Sequence, residues 1–187
     1  MLECLEQGEL TSTIETEPMQ AELLSQEIAL AFRDSKRPLS CTQESIHGYE
    51  AERLNYLLSK TWMEIAGDLT FLTMHSFEEF FYISKECFYY YLPGYLIGVV
   101  RHKHVFLATV ASSIVQILNP DEGDYECEKL ASFLNATLTP NQKKTVAHWL
   151  KLEVERESLR LPRVDESHEA MPTTDRKNAF ARWREWI

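Results

Sequence analysis

Tight-turn residues are scarce in this chain, with six glycines and seven prolines among 187 residues. Sandwiches and barrels need many close connections, so that shortage disfavours them and suits helices joined by short loops. The four cysteines, Cys4, Cys41, Cys87 and Cys127, are scattered and form no C-x-x-C pair. A zinc site or a disulfide framework therefore has no spacing to support it. Positive charge is also short: 19 Lys and Arg stand against 29 Asp and Glu, a net charge of −10. Such a balance repels phosphate backbones, and direct nucleic-acid binding is not expected. Two uncharged runs, 87–100 and 105–119, are separated by the basic stretch RHKH. The first would rise about 21 Å as a helix against about 30 Å of hydrocarbon, too short to span a bilayer, so no membrane partner is expected. The sequence has no nucleophile elbow, phosphate-cradling glycine loop or zinc-protease motif, and no catalytic residue, metal or cofactor is predicted.

What is present fits one sizeable core: 44% of residues are hydrophobic and 26% charged, an ordinary globular balance. Acidic residues cluster in two places. Residues 1–34 carry eight acids against Arg33 alone, and Asp121, Glu122, Asp124, Glu126 and Glu128 crowd the stretch NPDEGDYECE. The N-terminus is acidic where a secretory signal would be basic and then apolar, so a reducing cytoplasm is the expected address.

Helical spacing organises the rest. Leu24, Ile28, Ala31 and Phe32 mark a first helix entered at Pro18. Leu54, Leu57, Leu58, Trp62 and Ile65 share one stripe of a second. Residues 66–83 read as a short helix, with Ser76 and Glu79 at capping-box spacing. Ser84 is a suitable N-cap for a helix through CFYYYLPGYLIGVV, uncharged on every side and hence buried, with a kink or break expected before Pro93. The run 105–119 reads as its core partner, with Gly94 and Gly98 allowing close approach. Leu130, Phe133, Leu134 and Leu138 mark another helix, and Thr139, Pro140 and Gln142 form a strong start signal for the next. The prediction is an all-α protein: a single compact bundle of about six to eight helices around a buried, proline-kinked one. Its divisions are an acidic flexible segment 1–17, the bundle 18–157, a linker 158–173 and an amphipathic helix 174–187 bearing Phe180, Trp183, Trp186 and Ile187.

The stretch YISKECFYYYLPGYL resembles the hallmark of an uncharacterised bacterial family of small helical proteins, in which Phe-x-Tyr-Tyr-Leu-Pro-x-Tyr recurs. Phe88, Tyr90, Tyr91, Leu92, Pro93 and Tyr95 match it. LTPNQKKTVAHWL is similar to that family's second element, and Ile28, Phe32 and Trp62 to its opening pieces, over roughly 26–152. Ser84-Lys85 stands where Thr-Pro is usual, and Gly94 where Ala is. The resemblance implies architecture and a bacterial origin, and no activity.

Together these features favour a non-enzymatic interaction protein that binds and restrains another protein with a basic surface, as bacterial immunity and antitoxin proteins do. Its expected contacts are Asp121, Glu122, Asp124, Glu126, Trp183 and Trp186, with charge speeding encounter and desolvated aromatics supplying affinity. The terminal tryptophans are equally compatible with a homodimer seam. An alternative is a ligand-binding or enzymatic bundle with a pocket at Pro93 lined by Trp62, Tyr90, Tyr91 and Tyr95. A second alternative is acidic mimicry of DNA. The histidines offer little: His102 and His104 lack a spaced third ligand beyond Cys87 or His75, and His148 near Glu153 reads as a surface pair.

Overall fold

A computed structural model of the chain describes residues 7–39, 41, 48–73, 79–102, 107–120, 123–158, 178, 179, 181 and 183. Among them are nine helices and no strand: α1 (Gln7–Phe32), α2 (Tyr49–Ser59), α3 (Trp62–Gly67), α4 (Leu69–Thr73), α5 (Glu79–Tyr82), α6 (Lys85–Arg101), α7 (Leu107–Leu118), α8 (Tyr125–Thr137) and α9 (Pro140–Ser158). The all-α bundle is as the sequence predicts. The expected linker beyond residue 158 lies outside the described residues, and of the expected terminal helix only 178, 179, 181 and 183 are described, all helical.

α6 is the axis of the bundle and packs most heavily against α3 and α1. Ser84 caps it, its Oγ accepting the Cys87 N–H at 3.2 Å, and Glu86 sits in the first turn near the positive end of the helix dipole. Every residue from Cys87 to Val100 except Tyr89 is buried. The helix runs unbroken through Pro93, so the expected break does not occur. Burial on all sides holds the flanking turns together where an isolated helix would part at the missing N–H. Rings interlock edge-to-face along it, with Phe80 5.0 Å from Phe88 and 5.1 Å from Tyr95 between centroids, a favourable aromatic geometry.

Three further readings are corrected. First, the stripe from Leu54 to Ile65 belongs to two helices. Thr61 starts α3 with a capping box, its N–H bonded to Glu64 Oε2 at 2.7 Å and its Oγ1 accepting the Glu64 N–H at 3.3 Å, and this local chemistry interrupts a continuous apolar pattern. Second, residues 66–83 do not form one helix. α3 ends at Gly67, and Asp68 Oδ1 accepts the Phe71 N–H at 2.9 Å to start α4, while the proposed cap Ser76 lies outside the described residues. Third, the first helix is not entered at Pro18: α1 starts at Gln7 and carries Pro18 in its interior. The apolar spacing of Ile14, Ala21 and Ile28, seven apart, carries the helical pattern back across the proline.

The glycines of α6 face α3 and α4 rather than the following helix. A Cβ on Gly94 would lie 2.5 Å from the Trp62 carbonyl oxygen, and one on Gly98 would overlap the Leu72 side chain. Gly94→Ala sets a propensity gain of about 1 kcal/mol against an overpacking cost of about 1–3 kcal/mol. Because the obstacle is main chain, overlap wins. The variant should lose about 1–2 kcal/mol in urea unfolding; an unchanged or higher midpoint would show that α3 yields freely.

A disulfide joins Cys41 to Cys87 across 46 residues, with Cα atoms 5.2 Å apart. The cysteine spacing gave a disulfide no support, and this bond is formed despite it. Beside it the Ser84 N–H donates to the Cys41 carbonyl at 2.8 Å.

Candidate partner-binding surface

α1 divides its residues between two faces. Ala21, Leu24, Ser25, Ile28 and Phe32 are buried, following the three-and-four spacing of an inward stripe. Polar links fasten this side to α9. The Glu27 carboxylate accepts the Thr145 hydroxyl at 3.1 Å and lies 2.9 Å from His148 Nδ1. Gln142 Nε2 donates to the Ala31 carbonyl at 3.2 Å and to the Tyr89 hydroxyl at 3.0 Å, while Gln142 Oε1 accepts the Thr139 N–H at 2.9 Å. Gln142 thus closes the predicted capping box and also ties three helices together. His148 pairs with Glu27, not with Glu153 as sequence proximity suggested.

The opposite face of α1 carries Met19, Leu23 and Leu30, which are 59%, 58% and 65% exposed. At 3.6 residues per turn the three fall within about 40° of one another, forming an apolar ridge along the outside of the helix. Glu22, paired with Arg101 at 3.6 Å, and Asp34, paired with Arg33 at 3.2 Å, stand near it. Isolated exposed apolar residues are ordinary, whereas an aligned set beside acids resembles a contact patch.

The residues proposed from sequence fare differently. Asp124 is the N-cap of α8, accepting the Cys127 N–H at 3.2 Å and the Gln116 side chain at 3.3 Å. Burial would push its carboxyl up, but hydrogen bonds from Cys127 and Gln116 hold it below the usual carboxylate value. Its charge is therefore engaged within the fold. Glu126 is exposed and lies 3.7 Å from Lys129. Trp183 is fully buried, its indole N–H donating to the Leu118 carbonyl at 2.9 Å, so this ring, expected at a partner contact, is packed into the chain's own core. Asp121, Glu122 and Trp186 lie outside the described residues.

The proposed pocket residues are interior. Trp62 and Tyr90 are each 5% exposed, and Tyr91 and Tyr95 are fully buried. The Tyr91 hydroxyl donates towards the Leu57 carbonyl at 2.7 Å and the Lys60 carbonyl at 3.0 Å, satisfying main chain where α2 ends. Burial pushes this phenol up to about 12, so it stays a neutral donor at physiological pH. Its ring meets Tyr90 edge-on at 4.8 Å. These four side chains lie in the packed interior around α6. Cys87, bonded to Cys41, is not available as a metal ligand, and His75 and His104 lie outside the described residues.

Sequence reasoning missed the ridge. Its signal was the surplus of apolar residues in α1 beyond those needed for the inward stripe. Among the described residues no helix is long and apolar enough to cross a membrane. The chain belongs to the family of unknown function DUF6714, whose model matches residues 19–172 and contains the whole stretch over which the resemblance was drawn. Neither the curated proteins nor the solved structures gave a match.

Proposed function

We propose that this family member is a non-enzymatic interaction protein that binds and restrains a partner protein, in the manner of an immunity or antitoxin protein, through the outer face of α1. The observation that carries this reading is the aligned exposure of Met19, Leu23 and Leu30 in a chain whose aromatic motif is buried. The partner is a basic, partly apolar protein surface, since the first 34 residues hold eight acids against one base. Long-range attraction would accelerate encounter, and desolvation of the ridge would supply affinity.

The test compares the wild type with Met19→Ser/Leu23→Ser/Leu30→Ser in affinity capture from the native host at low salt. The wild type should recover one stoichiometric basic partner, which the triple variant loses while keeping its circular dichroism spectrum. Recovery of the same partner by both proteins, or of none by the wild type, would refute the proposal. So would a wild-type homodimer in light scattering that the triple substitution dissolves, because the ridge would then be occupied by a second copy.

A further inference from the structure

We infer that the Cys41–Cys87 pair is a redox-modification site, opened by thiol–disulfide exchange with a dithiol reductant whose thiolate attacks Cys41 Sγ and expels Cys87 as the leaving thiolate. The two cysteines are held by unlike parts of the fold. Cys87 is in the first turn of the 17-residue α6, three residues after the capping Ser84, and is fully buried. Cys41 lies outside any helix, in the connection between α1 and α2, and is 2% exposed. Two residues before it, Leu39 is fully exposed, so this connection passes from solvent to core within two residues. The Ser84 N–H to Cys41 carbonyl bond, at 2.8 Å, fastens it beside the sulfurs.

This asymmetry sets the direction of exchange. Freeing Cys41, which lies outside the described helices and is fastened to Ser84 by a main-chain hydrogen bond, costs less than unwinding the central helix that holds Cys87, so local opening uncovers Cys41 first. In the exchange a reductant thiolate forms a bond to Cys41 Sγ, and the Sγ–Sγ bond breaks with its electron pair passing to Cys87. The departing thiolate is produced in the first turn of α6, where the positive end of the helix dipole offsets the cost of placing charge on a fully buried sulfur and favours Cys87 as the leaving group. The reductant's second thiol then displaces Cys41 from the mixed disulfide. The protein gains two electrons and two protons, and the reductant leaves as its own disulfide. Oxidation by a disulfide-bearing donor reverses these steps. Reduction therefore unfastens the α1–α2 connection from the start of α6 while the helices remain packed.

The experiment equilibrates native Cys127→Ser protein in mixtures of reduced and oxidised glutathione or in dithiothreitol. Samples are then quenched with acid, unfolded and labelled with a maleimide. Full reduction should add two labels relative to the oxidised form without added denaturant, and wild type should show the same gain of two should the variant fold poorly. During exchange with glutathione, peptide mass spectrometry should find the transient adduct on Cys41. An adduct mainly on Cys87 would overturn the assigned direction. A pair that reduces only in denaturant would prove a fixed staple, and one that fails to oxidise at any glutathione ratio would not be a redox site; either result would sink the inference.

Discussion

Replacing Arg156 with methionine should lower the free energy of unfolding by about 3–5 kcal/mol, as expected when one partner of a buried ion pair is removed. Glu153 is 2% exposed, and Arg156 Nη1 lies 3.1 Å from its carboxylate. The same guanidinium donates to the Val99 carbonyl at 3.3 Å and the Val100 carbonyl at 2.9 Å. These carbonyls belong to the last turn of α6, where the helix supplies no N–H of its own. The substitution thus strips a buried carboxylate and two helix-end acceptors of their shared donor. Adding Glu153→Met should restore most of the loss, because two apolar side chains of similar volume replace a desolvated pair. Urea unfolding of the four proteins in this cycle supplies the measurement. A single-variant loss below about 1 kcal/mol would place the pair with weak surface bridges.

Removing the disulfide is the second large effect. Closing a loop of 46 residues restricts the unfolded chain by an entropy worth about 4 kcal/mol at 25 °C. Cys41→Ala/Cys87→Ala should therefore be less stable by about that amount, seen as a lower urea midpoint by circular dichroism. Dithiothreitol should lower the wild-type midpoint similarly and leave the double variant unmoved. If dithiothreitol shifts both proteins alike, the stabilisation does not come from this bond.

The legible parts of the fold were those written in local chemistry. Ser84 and Thr139 start their helices where their side chains predict, because a cap needs only neighbours within one turn. The interior position of α6 was likewise visible, since a helix uncharged all round has no face to give to water. The misread parts depended on distant residues. α6 crosses Pro93 without a break because surrounding packing compensates for a missing hydrogen bond, which no short window reveals. Cys41 and Cys87 meet only once α6 lies against the α1–α2 connection, so their separation in sequence carried no signal. For the candidate surface, sequence favoured the acidic loop and the terminal tryptophans. Asp124 is instead taken up as a cap and Trp183 as core, while the α1 ridge emerges only after α6 and α9 have claimed the other face of that helix.

The donor that seals α6 has a consequence for synthesis. Arg156 lies 56 residues beyond Val100, so the ribosome finishes the buried central helix well before translating the side chain that closes its end. Until then the nascent chain carries an oily rod with open carbonyls, a species prone to self-association. Truncations ending short of residue 156 should accordingly collect in inclusion bodies rather than behave as smaller versions of the protein.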